Sequence, residues 1–343
     1  MHYRVLWMQT QQSFEVGADE SVLDAATRQG VDLPHDCTFG GCGTCRMKVE
    51  TGSFAYADGE LPMAMSDEEH AEGYALACQA RAQSDLVISV ETGPACSPPT
   101  VLRATVAELR WHTPGVYHLA LDLPEGHGVQ YAPGQYLNIR LPGGEHRSFS
   151  MASPPVGNRV TLQIRKIAGG RFTEAMLATA QVGDALEVEM PHGSFFYRAK
   201  DYQPMVFAAT GTGFAPIKAI LESLLDDEDC PPIHFYWGMR EEADLYLLDE
   251  IEAWASRLYE FTFVPVLSRA SASWTGRRGY VQDAIAEDFA DLSEHSIYLC
   301  GSPHMIQDAK AMVGLAGAAM DKIYSDSFIF QNEAAAIAEL SEE

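Results

Sequence analysis

Four cysteines constrain this chain more than any other feature of its 343 residues. Cys37, Cys42 and Cys45 follow the spacing Cys-x4-Cys-x2-Cys, and Cys78 stands alone further along the chain. This is the plant-type spacing that holds a [2Fe–2S] cluster through four thiolates. Glycines lie between the first three cysteines, so the backbone can approach the sulfurs closely and point N–H groups at them. The cysteines therefore predict an iron–sulfur centre with these four residues as its metal ligands.

Other uses of the cysteines fit the pattern less well. Structural zinc sites usually show two short paired spacings, whereas this chain has only one such pair. Disulfide frameworks are typical of small secreted domains with an even number of cysteines, and this chain has seven. The spacing thus favours the cluster over zinc or disulfides.

Charge narrows the classes of partner. Lys and Arg number 23 against 48 Asp and Glu, which gives a formal net charge of −25. So acidic a chain is unsuited to binding nucleic acid through its phosphates or to docking on anionic lipid. The acidity suits solubility, and it also suits attraction to a protein partner with a basic docking patch.

Two absences in the sequence bear on location. No run of about 18 apolar residues is present, so no membrane-spanning helix is expected. The segment Met1–Trp7 reads directly into a strand and lacks the basic start and apolar core of a signal peptide. We expect a cytoplasmic protein that does not bind membranes.

The pattern of elements divides the chain into three domains. A hairpin, a capped helix and the cysteine loop predict a compact β-grasp fold. Short strands between Gly/Pro turns then predict an antiparallel barrel, and strand–helix alternation predicts a parallel sheet with helices on its faces. The fold class is therefore multidomain α+β and α/β. The expected segments are a β-grasp ferredoxin domain over 1–93, a linker over 94–100, a barrel domain over 101–200, an α/β domain over 201–330 and a tail over 331–343.

Two helices are expected at particular places. One follows a glycine pair over Arg171–Leu177, and the other runs over Ala243–Arg257 in the α/β segment.

Two motifs of the barrel segment suggest contacts to a flavin nucleotide. Arg147-Ser148-Phe149-Ser150 offers an arginine that can pair with a pyrophosphate and a hydroxyl that can bond a flavin ring edge. Arg165 follows, and then Gly169-Gly170-Arg171-Phe172-Thr173 opens a helix, where free N–H groups can bind an anion. For either motif alone, an ordinary turn is an equally good interpretation.

The α/β segment carries a glycine loop between a strand and a helix. Gly211, Thr212 and Gly213 suit a nucleotide-binding loop, although the third glycine of the dinucleotide fingerprint is absent. A later strand ends in Cys300-Gly301-Ser302-Pro303, at the position where doubly wound sheets bind their ligands.

These motifs occur together in an order that resembles a known family across roughly residues 1–330. The chain resembles a fused ferredoxin and ferredoxin-NADP-reductase-type flavoprotein. In particular it is similar to the reductase components of bacterial aromatic-ring-hydroxylating oxygenases, the terephthalate dioxygenase type among them. It also resembles the reductase of deoxysugar dehydration.

The resemblance implies a role for each matching residue. Ser150 should lie near flavin N5, Cys300 beside the nicotinamide and Phe328 stacked on the flavin, so these three form the implied catalytic set. The other implied FAD contacts are Arg147, Ser148, Phe149, Arg165, Gly170, Arg171, Phe172 and Thr173. The other implied contacts to the nicotinamide nucleotide are Gly211, Thr212, Gly213, Arg240 and Gly301.

Two positions depart from the family. Phe149 stands where the family often has tyrosine, so a hydroxyl contact to FAD is missing. Thr210 replaces a more common glycine. Neither departure removes a charge or a ligand, so we expect tuning of the site and not its loss.

The nicotinamide cofactor is expected to be NADH. Glu241, Glu242 and Asp244 follow a strand of the α/β segment, and such acidity disfavours the 2′-phosphate of NADPH. NADPH remains the alternative, because Ser268-Arg269 resembles a phosphate-binding pair and Arg277-Arg278 lie nearby.

The resemblance implies an NADH:acceptor oxidoreductase that passes electrons from NADH to FAD, then to the [2Fe–2S] cluster and on to a terminal oxygenase, Rieske-type oxygenases included. A monomer is the simplest expectation for such a carrier. One alternative acceptor is a deoxysugar dehydratase. An alternative of another class is a redox-sensing iron–sulfur flavoprotein without steady turnover.

Overall fold

The computed structural model describes residues 2–57, 59–90, 99–126 and 130–328. The chain divides into two compact units. The first combines Met1–Thr92 with Ser302–Leu315 and the stretch from Ser325 onward, and the second combines Gly93–Gly301 with Ala316–Tyr324.

The first unit opens with a β-grasp arrangement, as the sequence predicts. Its main sheet has the strand order β2-β1-β7-β3-β5, in which β1 and β7 are parallel and the other three pairs are antiparallel. Strands β4 and β6 form a separate small ribbon. The elements are β1 (His2–Trp7), β2 (Gln12–Gly17), α1 (Val22–Arg28), β3 (Arg46–Thr51), β4 (Phe54–Ala55), α2 (Asp67–Ala71), β5 (Tyr74–Leu76), β6 (Arg81–Ala82) and β7 (Leu86–Ser89).

Capping residues set where the two helices of this segment begin. The Ser21 hydroxyl accepts a hydrogen bond from the Asp24 N–H at 3.0 Å, which satisfies a free donor of the first turn of α1. Ser66 and Glu69 form a reciprocal capping box at the start of α2. The carboxylate of Glu69 is thereby held close to the backbone of its own helix.

The second unit begins with an antiparallel barrel, as predicted. Its sheet has the order β11-β10-β13-β8-β9-β12. The two outer strands meet through a bridge between Met151 and Leu162, reinforced by the Ala152 N–H donating to the Thr161 carbonyl at 2.7 Å. The strands are β8 (Thr100–Thr113), β9 (Val116–Asp122), β10 (Tyr136–Arg140), β11 (His146–Ser150), β12 (Arg159–Arg165) and β13 (Ala185–His192).

A mostly parallel sheet follows, with the order β17-β16-β15-β14-β18-β19. The pairs from β17 to β18 that the structure records are parallel, and the order reverses between β14 and β18. Doubly wound sheets bind ligands at the carboxyl ends of the strands beside such a reversal. The elements are β14 (Met205–Thr210), α3 (Phe214–Ser223), β15 (Ile233–Met239), α4 (Leu248–Trp254), β16 (Phe261–Leu267), β17 (Arg277–Arg278), α5 (Val281–Asp288), β18 (Ser296–Gly301), α6 (Pro303–Leu315) and β19 (Ile323–Ser327).

The structure corrects the expected helix over Ala243–Arg257. A 3-10 turn over Glu242–Asp244 precedes α4, and Leu247 between them has the left-handed φ of 59°. The carboxylates of Glu241 and Asp244 cap that turn, so the chain cannot continue smoothly into a single helix. The helix expected over Arg171–Leu177 is present as a π-helical turn over Arg171–Met176 and a 3-10 turn over Leu177–Thr179.

Elements that the sequence did not indicate are short or weakly patterned. They include α5, the two-residue strand β17 and strand β19. The predicted tail over 331–343 lies outside the described residues, as does most of the linker predicted over 94–100. The domain boundaries themselves stay predictions. Across the described residues, every helix is too short or too polar to span a bilayer.

Truncation of Leu119 in β9 tests the assignment of the barrel core, because the side chain is completely buried in it. We expect Leu119→Ala to lower the free energy of unfolding by about 2–5 kcal/mol, since it removes buried carbon atoms and leaves a cavity. Urea titration followed by tryptophan fluorescence measures this. Val156→Ala is the control: Val156 is 74% exposed, so its change should stay within about 0.5 kcal/mol. Equal effects of the two variants would contradict the assigned core.

Candidate functional site

The four cysteines of the motif form two pairs in the first unit. The Cys42 thiol lies within hydrogen-bonding reach of Cys37, and Cys45 lies within reach of Cys78. Donation from the Cys42 thiol, with further donation from N–H groups of the loop, lowers the pKa of Cys37 to about 6. The pairing raises the pKa of Cys45, chiefly through its hydrogen bond with Cys78. The structure therefore places the four predicted ligands in two pairs, Cys37 with Cys42 and Cys45 with Cys78.

The backbone of the loop points donors at the sulfurs. The N–H groups of Gly41 and Cys42 each donate to Cys37 Sγ at 3.3 Å, and the Thr44 N–H donates to Cys42 Sγ at 3.5 Å. Such donors stabilise negative charge on sulfur and tune the potential of a bound cluster. Spacing alone suggested that these amides would take part, and the structure shows which ones do.

Cys78 reaches the loop because several backbone contacts fix its segment. The Ala77 N–H donates to the Cys45 carbonyl at 2.9 Å, and the Gln79 side chain donates to the Thr38 carbonyl at 3.0 Å. At the start of α1, the Leu23 N–H donates to the Ala77 carbonyl at 2.9 Å. Residues 37–45, which carry three of the cysteines, are called the ligand loop below. The segment around Cys78 is thus bonded both to the ligand loop and to the first turn of α1.

This arrangement suits two irons. Within the part of the chain that the structure describes, no three or more His, Cys, Asp or Glu side chains are gathered around one metal position. The thiols lie instead in two pairs, and a [2Fe–2S] cluster takes two ligands on each iron. The residues present fit the cluster.

The two arginines predicted to hold the flavin pyrophosphate share one anion in the second unit. Glu145 accepts from Arg147 through Oε2 at 3.2 Å and from Arg171 through Oε1 at 2.7 Å. A single carboxylate placed between the two guanidinium groups shows that both can reach one anionic group. The pair therefore fits a pyrophosphate, although no sequence motif indicates a role for Glu145 itself.

The rest of the flavin motif lies along β11 and the turn after β12. Ser150 is buried at the end of β11 opposite Tyr136, while the Ser148 hydroxyl donates to Asn138 Oδ1 at 2.8 Å. The rings of Phe149 and Phe172 are 5.2 Å apart, so the two motifs touch.

Two other predicted flavin contacts lie beside this turn. The Thr173 hydroxyl bonds both the N–H and the carbonyl of Ile167 at 3.1 Å, which shapes the turn at Gly170 and commits that hydroxyl locally. Arg165 ends β12 and is exposed.

The glycine loop lies where the α/β sheet reverses its strand order. Gly211–Gly213 form a 3-10 turn between β14 and α3, beside the end of β18. A Cβ on Gly213 would stand 2.3 Å from the Cys300 carbonyl oxygen, and one on Gly301 would stand 2.3 Å from Thr210 Oγ1. Neither position can carry a side chain, so the turn and the end of β18 pack backbone to backbone. At Gly211 a Cβ would meet nothing within 4 Å, so the turn is open at that residue. We call the Gly211–Gly213 turn together with the end of β18 the glycine cradle.

Two aromatic side chains, Trp237 and Phe214, pack beside the Gly211–Gly213 turn in the interior of the domain. Trp237 is fully buried, and its indole N–H donates to the Gly211 carbonyl at 3.0 Å. Its ring lies 4.4 Å from that of Phe214, the first residue of α3. No sequence pattern indicates a special role for the tryptophans, whereas in the structure this one supports the Gly211–Gly213 turn.

The predicted flavin and nucleotide motifs lie close together within the second unit. The Met151–Leu162 bridge joins the end of β11 to β12, and β12 lies beside the Gly211–Gly213 turn. The Tyr246 hydroxyl donates to Gln163 Oε1 of β12 at 2.8 Å, which fixes this arrangement. Ser150 and the glycine loop are thus separated by one strand.

The arginines considered for a 2′-phosphate divide into two groups. Arg277 pairs with Glu287 and Asp288, and Arg278 donates to backbone carbonyls, including that of Trp274 at 2.7 Å. The Arg277 guanidinium is therefore held by carboxylates at the end of α5, and that of Arg278 by carbonyls of the preceding turn. Arg240 and Arg269 are exposed, and their backbones are joined by the Arg269 N–H donating to the Arg240 carbonyl at 2.8 Å.

One predicted residue, Phe328, and one ion pair that the sequence does not indicate lie outside the motifs described above. Phe328 is half-buried and directly follows β19, and its stacking on flavin stays a prediction. Lys310 and Glu69 form a buried ion pair that sequence analysis missed, because 241 positions separate the two residues. Both lie in the first unit.

Comparison with known protein families matches all three predicted functions. The 2Fe-2S iron-sulfur cluster binding domain matches residues 5–83, the oxidoreductase FAD-binding domain residues 105–197 and the oxidoreductase NAD-binding domain residues 207–311. These matches define a flavin- and iron–sulfur-dependent oxidoreductase that uses a [2Fe–2S] cluster, FAD and NAD(H).

Full-length relatives lead to the family. The chain is 33% identical over 319 residues to CDP-6-deoxy-L-threo-D-glycero-4-hexulose-3-dehydrase reductase of Yersinia pestis, covering 92% of this chain and 95% of that protein. It is 33% identical over 321 residues to reductase component 1 of terephthalate 1,2-dioxygenase from a Comamonas species, covering 92% and 94%. Among solved structures, an Amycolatopsis cytochrome P450 reductase gives a TM-score of 0.71 at 30% identity, covering 95% of this chain and 98% of that one. The chain belongs to the family of fused iron–sulfur flavoprotein reductases, which act as electron-transfer components.

The close approach of Gly213 to β18 generates a prediction. Gly213 has an ordinary φ of −57°, so Gly213→Ala adds only a steric clash with the Cys300 carbonyl. We expect it to destabilise the second unit by about 1–3 kcal/mol and to weaken NAD⁺ binding, because the loop must move away from β18. Thermal unfolding with and without NAD⁺ measures both effects.

Gly211→Ala is the matched comparison for that variant. Gly211 has a φ of +58° with open space around its Cβ direction, so alanine there adds backbone strain without a clash. The cost should be about 1–2 kcal/mol, with the approach of β14 to β18 kept. If NAD⁺ binding weakened less in Gly213→Ala than in Gly211→Ala, the cradle would be wrongly placed.

Proposed function

We propose that this reductase oxidises NADH and delivers electrons singly to the terminal oxygenase of an aromatic-ring-hydroxylating system. The observation that carries the proposal is the coexistence of two thiol pairs, a double-arginine anion site and a glycine cradle in one chain. When bound, FAD accepts a two-electron hydride and releases electrons singly to a [2Fe–2S] cluster, so together the groups join a two-electron donor to a one-electron acceptor.

We propose the following contacts of the protein to FAD and to the nicotinamide nucleotide. Arg147 and Arg171 bind the FAD pyrophosphate, which takes the place of the Glu145 carboxylate between them. Ser150 orients the flavin ring edge from the end of β11. Cys300 and Gly301 border the nicotinamide at the end of β18, opposite the Gly211–Gly213 turn. Phe328 covers the flavin ring.

An oxygenase partner is supported by the relatives and by charge. The Comamonas relative is a component of terephthalate 1,2-dioxygenase, and it matches along nearly its whole length. Residues 1–92 contain 15 Asp and Glu against 5 Lys and Arg, so the segment around the cluster repels acidic surfaces and attracts basic ones. We expect a monomer that docks transiently on a basic face of the oxygenase, a Rieske-type oxygenase being one such partner.

A deoxysugar dehydratase is the second candidate acceptor. The Yersinia relative is a dehydrase reductase with the same 33% identity as the oxygenase relative, and 95% of its length is covered against 94%. Reconstitution separates the two candidates. NADH-driven turnover with a purified ring-hydroxylating oxygenase, and none with a sugar-nucleotide dehydratase, supports the proposal; the reverse result assigns the second function.

Replacing one thiol ligand tests whether electrons leave the protein through the cluster. We expect Cys42→Ser to abolish the reduced-cluster EPR signal and NADH-driven cytochrome c reduction, because the cluster loses a ligand. Ferricyanide reduction through the flavin should continue. Stopped-flow absorbance and EPR of the purified enzyme provide the readouts.

Cys230→Ser is the matched control for that experiment. Cys230 is also buried, but it lies in the second unit, where its thiol donates to the Pro231 carbonyl at 3.4 Å. A hydroxyl can make the same bond, so both activities should stay at wild-type levels. Equal loss of ferricyanide and cytochrome c reduction in Cys42→Ser would show that electron transfer through the cluster cannot be separated from the flavin reaction.

The preferred cofactor can be tested directly. We expect kcat/KM for NADH to exceed that for NADPH by about tenfold or more, because a 2′-phosphate needs arginine partners and an acidic run suits a free ribose hydroxyl. Glu241 and Glu242 follow β15, while Arg277 and Arg278 are held in internal contacts. Steady-state ferricyanide assays with both nucleotides measure the ratio. A ratio near one, or a preference for NADPH, would refute the assignment.

A further inference from the structure

Three charged side chains meet in the interior of the first unit. Lys310 Nζ lies 3.0 Å from Glu69 Oε1 and 3.2 Å from Glu69 Oε2, and Arg46 Nε lies 3.0 Å from Glu69 Oε1. The side chains of Lys310 and Glu69 are only 3% and 1% exposed, and that of Arg46 is 20% exposed. Charges buried to this degree persist only when they are paired.

The two halves of this cluster come from distant parts of the chain. Glu69 lies in the first turn of α2 within the iron–sulfur match, whereas Lys310 lies on α6 within the NAD-binding match. Helix α6 follows β18 directly, and β18 ends at Cys300 and Gly301. Lys310 therefore ties the segment that carries the cluster ligands to the helix that continues from the nicotinamide loop.

Glu69 has partners of its own without Lys310. Its carboxylate accepts from the Ser66 N–H at 3.0 Å in the capping box and pairs with Arg46. Arg46 in turn lies over the Tyr74 ring at 3.8 Å. These contacts stay within the β-grasp segment, so that segment does not need Lys310 in order to cap α2 or to balance the charge of Glu69.

A second contact from the same face of α6 lies beside the first. Gln307, one turn before Lys310, donates its side-chain N–H to the Met63 carbonyl. The next residue, Ala64, donates its N–H to the Gly40 carbonyl of the ligand loop at 3.0 Å. Arg46 directly follows the ligand Cys45. The two residues that α6 contacts, Met63 and Glu69, are therefore each linked to the ligand loop. Ala64, next to Met63, bonds Gly40, and Glu69 pairs with Arg46, which follows Cys45.

We propose that Lys310 is a positioning residue whose pair with Glu69 holds α2 and the ligand loop against α6, and that this contact keeps reduction of the cluster fast. Electron transfer depends steeply on the distance to the cluster, so a ligand loop that is free to move should be reduced more slowly. A buried ion pair suits such a latch, because its geometry is more specific than apolar contact, and a mismatch would leave a charge without a partner. The inference rests on the proposed function.

The test uses full-length enzyme loaded with cluster and FAD. In Lys310→Met, stopped-flow mixing with NADH should show hydride transfer to flavin at the wild-type rate. The following reduction of the cluster should slow by about tenfold or more, because methionine cannot pair with Glu69 and the contact between α6 and α2 is lost. Cluster content, judged by visible absorbance, should be retained, since all four thiols remain.

Lys322→Met is the matched control. Lys322 also forms an ion pair, with Asp201 at 2.5 Å, but that pair lies in the second unit. Its cluster-reduction rate should match that of the wild type. Hydrogen exchange gives a second readout: amides of α6 and of residues 62–66 should exchange faster in Lys310→Met, and barrel amides should not.

A double-mutant cycle tests whether the two residues act as one unit. Adding Glu69→Gln to Lys310→Met should slow cluster reduction little further, because the pair is already broken. Gln307→Ala removes the neighbouring contact without burying a charge, so it serves if Lys310→Met fails to fold. It should slow the same phase to a smaller extent.

The outcomes separate the latch from the proposed function. Wild-type cluster reduction in Lys310→Met with its cluster intact would overturn the latch, as would equal slowing in Lys322→Met. If Gln307→Ala is needed, an unchanged cluster phase in that variant overturns it equally. A wild-type enzyme whose flavin is reduced by NADH while its cluster stays oxidised would instead refute the proposed function.

Discussion

A two-iron cluster needs four thiolates in two pairs, and this requirement organises the first unit. Three thiols come from one loop, so the fourth must be brought to them by the fold. Here α1 binds the Ala77 carbonyl through its first turn, and the Ala77 N–H binds the Cys45 carbonyl. The sheet and the helix thus place Cys78, and the amides of the loop face the sulfurs because glycines let the chain turn there. The fold serves to hold four like charges close together.

The second unit meets a different constraint, which is close approach of backbones. The strand order of its parallel sheet reverses between β14 and β18, and their ends are so close that Gly213 and Gly301 have no room for a Cβ. Trp237 supports the turn from inside the sheet. The same unit brings β12 of the barrel beside this turn, which places the flavin motif next to the nucleotide motif. A hydride has to move directly between two rings, so the adjacency of these motifs is the property that its chemistry requires.

The sequence predicted what local patterns encode. The ligand spacing, the capped helices and the strand–helix alternation predicted the three folds, and the order of the motifs indicated the family by resemblance. The comparisons confirmed the [2Fe–2S], FAD and NAD(H) functions. The helix expected over Ala243–Arg257 was wrong, because capping by Glu241 and Asp244 and the left-handed Leu247 interrupt a pattern that composition alone favours. Contacts such as Glu145 with Arg171, or Glu69 with Lys310, depend on tertiary structure. No local rule identifies them, since each residue looks like an ordinary surface charge when read in order.

The way the basic residues are used explains how an acidic protein can hold anionic cofactors and attract a partner. Arg46 and Lys310 lie inside the first unit against Glu69, and in the second unit Arg277 and Arg278 are bound to carboxylates and carbonyls of a turn. Cations held in such contacts contribute little to the field outside, because each is neutralised or surrounded by protein acceptors. With 48 acidic residues against 23 basic ones, the field that a partner meets is negative. That field acts on the rate of encounter more than on the strength of the complex, which is what a carrier that must dock, pass one electron and leave requires.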